Sequence, residues 1–314
     1  MTRITSSLFI AALLGLFLHV ATAQAQYVRT CVSANGNDAN TCHCTQPCRT
    51  FQRAHDQTLT DGELTVLDVG GYGPVTITKS ISVINDGGGE ASIQVFGPAT
   101  GITINAAAGA YVNLRGITIQ GVGGGGGTGL RFNTGFSLTM TNCVIRNHTG
   151  HGIIFLPNAN SNLSVSNTLV SDNGGSGMFA QPSGSGTVKI VLNRVEVYNN
   201  SSGGIIVLGL ISTGTINAIV VDSVVANNNS SGLTALSSSA VTRVMVARSV
   251  AAHNNGTGLD ASGANTTLRV GQSTITGNTT SWVAASGAVL RSYGDNNIDG
   301  NGDGDPAPTT IAKK

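Results

Sequence analysis

Apolar and polar residues alternate in short bursts from Leu138 to Arg291, and the bursts recur six times at a spacing of about 25 residues. Read in register, the copies open LTMTNCVIRNHTGHGI, LSVSNTLVSDNGGSGM, IVLNRVEVYNNSSGGI, AIVVDSVVANNNSSGL, VMVARSVAAHNNGTGL and LRVGQSTITGNTTSWV. One apolar column holds Met140, Val165, Val191, Val220, Val246 and Val270. A second holds Val144, Leu169, Val195, Val224, Val250 and Thr274. A third follows a glycine column (Gly152, Gly177, Gly204, Gly232, Gly258) and holds Ile153, Met178, Ile205, Leu233, Leu259 and Val283. The bursts are rich in Val and Ile and have period two, which is strand chemistry; no helical period of about 3.6 survives a full copy.

Short strands with no helices between them bury an apolar face only by stacking each unit on the last. The pattern therefore predicts an all-β chain, a parallel β-solenoid whose coils rise by about 4.8 Å and whose columns become ladders up the axis. A polar column of Asn147, Asn173, Asn199, Asn228, Asn254 and Asn278 lies between the second and third strands. Asn tolerates left-handed backbone angles there, and its amide can bond to the same amide one coil away. Because the copies differ in length, His148 is the alternative first member.

The pattern L-x-V-x-N-x-x-V-x-x-N-x-x-x-G-I resembles the single-stranded right-handed parallel β-helix repeat of the pectin-lyase-like superfamily, and the resemblance covers most of the chain after its first 25 residues. It implies right-handed coils. It also implies relatives among pectate lyases and polygalacturonases, and hence an expected polysaccharide or cell-surface partner.

Ahead of the coils, residues 1–25 combine Arg3, an apolar run from Leu8 to Val20 and small residues at Ala23 and Ala25, which reads as a secretory signal peptide too short to span a bilayer. The expected location is secreted or periplasmic. Residues 26–60 form a Cys-rich cap, residues 61–292 the β-helix and residues 293–314 an acidic polar tail. Four cysteines, Cys31, Cys42, Cys44 and Cys48, follow the leader closely; in an exported chain they make two disulfides in one of three connectivities. The rival is zinc, with His43 as a further soft ligand, although C-x-C-x-x-x-C is an uncommon zinc spacing. Cys143 sits alone on a strand and is expected to be a buried or half-buried thiol. Phe51, Ala54 and Thr58 lie at helical spacing behind Pro47, so a short helix is expected, then strands at Leu64–Leu67, Val75–Ile77 and Ile81–Ile84. A helix pinned by disulfides covers the open end of a solenoid. The segment PCRTF also resembles the opening of bacterial parallel β-helix proteins.

Charge is sparse, at 10% of residues, and the net charge is +1, which points to neither nucleic acid nor an anionic membrane as partner. The glycines from Gly123 to Gly127 lack the following Lys-Ser/Thr of a phosphate loop. In the tail, Asp299, Asn301, Asp303 and Gly304 match the first half of an EF-hand loop, with Asp305 beside them, so calcium is the one metal the sequence suggests. The twelfth position of that loop is Thr310 instead of Glu, and Pro306 and Pro308 oppose an exiting helix. No other cofactor is implied.

Gly150-His151-Gly152 resembles one polygalacturonase motif, but its companions N-T-D, D-D and R-I-K are absent from the sequence. Hydrolysis of a glycoside needs two carboxyl groups about 5–10 Å apart. From Ala91 to Gly294 the acids are Asp172, Glu196, Asp222 and Asp260, all in different columns. Nine basic residues share that stretch. Among them Arg194, Arg248 and Arg269 mark a candidate ligand face for an anionic polymer, with Arg248 one coil above Asp222 and so expected to pair with it. The expectation is a non-catalytic binding or structural solenoid, with a lyase acting on a uronate polymer as the alternative and no catalytic residue assigned.

Overall fold

The computed structural model describes residues 26–313, so the apolar leader read over residues 1–25 lies outside the described residues. Period-two segments become strands that pair in parallel with the same segment one coil away, in register over long runs, as for Leu138↔Leu163 through Thr141↔Ser166. The chain winds as a right-handed parallel β-helix with three faces. The first face stacks strands such as Ser137–Thr141, Thr215–Val221, Val241–Ala247 and Thr266–Gly271. The second stacks Gly70–Gly71, Ala91–Val95, Ile117–Gly121 and Val144–Arg146 and continues to Asn297–Ile298. The third is a sheet of nine strands, from Val75–Ile77 to Thr280–Ala285. Ser161–Ser171 and Thr187–Tyr198 run through the first corner as continuous strands serving two faces.

Register corrects the sequence alignment in the third copy. Val165 pairs with Leu192 and Leu169 with Glu196, so Val191 and Val195 do not belong to the columns read for them. Each strand residue alternates between faces, so a slip of one residue exchanges inside for outside. Leu192 is 1% exposed and Val191 40%. The second apolar column, read at Val144, points outward; the buried column of that face is the next one, Ile145, Val170, Val197, Val225, Ala251 and Ile275. In the sixth copy Trp282, and not Val283, pairs with Leu259, and Trp282 packs half-buried against the core. The glycine column is steric. A Cβ on Gly204 would lie 2.3 Å from Val225 Cγ1 and 2.6 Å from the Gly232 carbonyl.

The second corner carries the amide ladder. Asn173, Asn200, Asn228, Asn254 and Asn278 are each 2% exposed or less. Each sends both its backbone N–H and its Nδ2 to the Oδ1 of the next, at 2.8–3.2 Å. Asn199 is not a rung: it occupies the left-handed position before the rung (φ 53°), exposed, with Nδ2 on Asp172. His148, not Asn147, stands at the N-terminal end, its backbone N–H donating to Asn173 Oδ1. A second ladder at the first corner left little trace in the apolar pattern. There Thr168, Ser223, Ser249 and Ser273 accept backbone N–H groups from the coil before through their buried hydroxyls, and Val195 interrupts the series.

At the N-terminal end, strand Tyr27–Val32 lies parallel to Thr58–Val66 and helix α1 (Phe51–Gln57) covers the core with Phe51, Ala54 and His55 buried. Thr50 caps the helix through the Arg53 N–H and is itself held by Asp38. Thr58, expected inside the helix, is its C-cap and begins the strand. The disulfides are Cys31–Cys44 and Cys42–Cys48, and Cys143 is buried and free. At the other end the coils continue past residue 292. Asn297–Ile298 pairs with Thr274–Ile275, and Ser292 bonds through both backbone groups to Thr309 and Ile311.

Candidate ligand-binding face

Strand register places the charged residues of the first face in rows. One outward row reads Ser164, Val191, Ile219, Met245, Arg269 and Arg291; the row beside it reads Asn193, Val221, Ala247 and Gly271. The middle of the face is thus an apolar strip, with Arg243 exposed at one side and the first corner at the other. That corner stacks Asn142, Asn167, Arg194, Asp222, Arg248 and Gln272, all with positive φ, from 46° to 56°. Asn and Asp adopt this conformation readily, whereas Arg and Gln do so at a cost, and strained backbone of this kind concentrates where side chains are held for use.

Arg248 grips Asp222 through Nε at 2.7 Å and Nη2 at 3.0 Å, so its charge is matched, and this hydrogen bonding holds the Asp222 carboxyl below the usual carboxylate range. Arg194 donates from Nε to Asn167 Oδ1 at 2.6 Å. Arg269 and Arg291 differ. They are direct neighbours on adjacent strands, and among the described residues neither they nor Arg243 have a hydrogen-bond or ion-pair partner. Like charges stacked at about 4.8 Å destabilise a sheet unless something negative comes between them. A groove of about 870 Å³ runs along this part of the face, lined by Met245, Ala247, Arg248, Arg269, Tyr293 and Lys313 among others. A second of about 500 Å³ follows the corner beside Asn142, Asn167, Arg194 and Glu196.

The coil acids do not converge. Asp172 is on the second corner, Glu196 faces out from the second face, Asp222 is on the first corner and Asp260 lies on the third face. Among the described residues no three His, Cys, Asp or Glu side chains gather in a way that could hold a metal ion. The calcium pattern in the tail has other tasks. Asn301 is the last rung of the amide ladder, taking Asn278's N–H and Nδ2 on Oδ1 at 3.0 Å. Asp305 accepts from the amides of Gly300 and Asn301, and Asp303 accepts the Ser281 N–H and hydroxyl. Partial desolvation pushes the Asp303 carboxyl up, but the bonds from Ser281 outweigh it and hold it below the usual range. These oxygens are spent on finishing the last coil instead of converging on one point.

His151 of the Gly-His-Gly motif lies beside a coil corner, stacked on Phe179 with 5.0 Å between ring centres, and its Nδ1 accepts the Ser176 N–H at 2.9 Å. His55 Nε2 accepts the Thr78 N–H at 3.2 Å while Nδ1 meets Asp56 at 2.9 Å, with the Lys79 charge also nearby. His148 Nε2 meets the Ile119 carbonyl, close to the Gly126 backbone. Burial lowers the pKa of all three. As pH falls through about 6.5 the unfolded chain therefore takes up protons first, so stability is complete above that value and declines below it. The lowered carboxylates, Asp222 and Asp303 among them, act only near and below about pH 4. Thermal melts between about pH 7.5 and pH 5 should show a falling melting temperature, shallower in His151→Gln, and a flat profile over that range would refute the assignment of these three rings as neutral imidazoles in the folded chain.

Three stacked parallel faces, an internal amide ladder and a helical cap define a right-handed parallel β-helix protein, and the chain belongs to that class. The family model described as the right handed beta helix region matches residues 64–215. Among solved structures, pectate lyase Pel9A superposes with a TM-score of 0.67 at 16% identity, over 92% of this chain and 78% of that one. The GH136 lacto-N-biosidase from Eubacterium ramulus gives a TM-score of 0.45 at 12% identity over 91% and 67% of the two chains. The mannuronan C-5 epimerase AlgE4 A-module of Azotobacter vinelandii gives 0.34 at 16% over 81% and 89%. At these identities the likeness is one of fold. Comparison of the sequence with curated proteins gives no match.

Proposed function

We propose that the protein is an exported β-helix that binds an anionic polysaccharide along its first face without cleaving it. The observation that carries this reading is the stacked pair Arg269 and Arg291, with Arg243 beside it, none of them in an ion pair with an acid among the described residues, next to an apolar strip and with Arg269 lining a groove. Carboxylates spaced along a polymer relieve the repulsion between the arginines, and the C–H faces of sugar rings lie against Ile219, Met245 and Ala247. Two disulfides support an oxidising compartment outside the cytoplasm. No helix among the described residues is long and apolar enough to cross a membrane.

The test is a panel of pectate, alginate and similar uronates with added calcium, read two ways. Retention on at least one polymer should weaken as salt rises, and should fall by about ten-fold or more in the double variant Arg269→Ala, Arg291→Ala. Eliminative cleavage leaves an unsaturated product that absorbs in the ultraviolet. Absorbance growing with time and lost on replacing Arg248 or Arg194 would replace the binding reading by that of a lyase.

A further inference from the structure

The second face of the first coils carries a groove of different chemistry. In register, Gly71, Ser92, Thr118 and Val144 form one outward row, and Gln94, Gln120 and Arg146 the next. Together with Val69, Gly70 and Glu90, the residues Gly71, Ser92, Gln94, Gln120 and Arg146 enclose about 400 Å³, a volume in the range of small-ligand sites. Its floor at Gly71 is bare backbone. A Cβ added there would meet nothing closer than Ser92 Oγ at 3.6 Å, and the residue has an ordinary negative φ, so neither strain nor crowding accounts for the missing side chain. The Gly71 carbonyl accepts a hydrogen bond from Arg49 Nη1, and the missing side chain leaves the strand backbone open to close approach by a ligand as well.

The polar groups around that floor have hydrogen-bonding capacity to spare. Arg146 uses Nε on Gln120 Oε1 at 3.1 Å and leaves both Nη groups free, while Glu90 and Gln94 have no partner among the described residues. One carboxylate and one guanidinium bring the groove to no net charge, unlike the arginine row on the first face. Val69, 63% exposed, borders it, and Phe96, 62% exposed, lies two residues beyond Gln94 along the chain. Planar amides, a carboxylate and a guanidinium that each bond two adjacent hydroxyls, next to an exposed aromatic ring, suit an uncharged polyhydroxylated chain.

We propose that this groove binds a neutral glycan, as a second site separate from the anionic-polymer face and independent of it. Cellohexaose, xylohexaose and mannohexaose are titrated into the folded protein and binding is followed by calorimetry. Wild type should bind at least one of them. Gly71→Val, whose Cβ meets nothing closer than Ser92 Oγ at 3.6 Å, should weaken that binding by about ten-fold or more, as should the surface pair Gln94→Ala, Gln120→Ala, which guards against a folding defect in the first variant. Arg269→Ala with Arg291→Ala should leave it unchanged, which separates this site from the first. Absence of binding to all three sugars, binding that survives both groove variants, or binding lost with the two arginines would overturn the proposal.

Discussion

Replacing Asn228 by alanine is expected to lower stability by about 3 kcal/mol or more, the cost of leaving several buried polar groups unpaired. Its Oδ1 takes the N–H and Nδ2 of Asn200, and its own Nδ2 serves Asn254 Oδ1 and the carbonyls of Val197 and Ala226. With the side chain gone, the Asn200 donors lose their acceptor in a region closed to water. Asn199, one residue from a rung, provides the control. It is exposed and left-handed, so Asn199→Gly keeps the backbone angle, loses only a surface bond to Asp172 and should change stability by less than about 0.5 kcal/mol. Chemical denaturation of the two variants checks the contrast. Equal losses would place the ladder on the wrong residues, and no loss at Asn228 would mean the buried amides add nothing to stability.

The second large effect is expected at Leu192. Leu192→Ala removes a side chain that is 1% exposed, stacked between Val165 and Val220, and should cost about 2–5 kcal/mol. Val191→Thr, on the outer surface at 40% exposure, keeps a β-branched residue and should fall within about 0.5 kcal/mol of wild type. Because each coil contacts mainly its neighbours, hydrogen exchange should rise first near the altered coil while the disulfide-pinned end stays protected. A uniform loss of protection along the chain would show that the solenoid unfolds as one unit.

These pairs mark how far the candidate residues could be read in advance. All five glycine-column positions and the rungs Asn173, Asn228, Asn254 and Asn278 stand in the structure where the repeat put them. The third copy went wrong because its spacing is longer: Asn173 to Asn200 is 27 residues and Asn200 to Asn228 is 28, against 24 for Asn254 to Asn278. Where both neighbours in a segment such as VLNRVEVY are acceptable to either face, alternation alone leaves the phase open. The hydroxyl ladder was missed because Thr and Ser read as ordinary outward strand residues until a corner turns them inward.

From its pattern alone the sequence determined that this chain stacks short strands into coils around an internal polar ladder, with a cysteine-rich cap at one end. Period-two alternation and a repeat of roughly constant length admit few other ways of burying the apolar positions. Tertiary structure alone decided the pairing Cys31–Cys44 and Cys42–Cys48, the use of Asn301 as a rung of the amide ladder, and which arginines are left without an acid. Those outcomes depend on which residues meet across coils some 25 positions apart, and that is set by corner lengths and register, to which composition and local periodicity are blind.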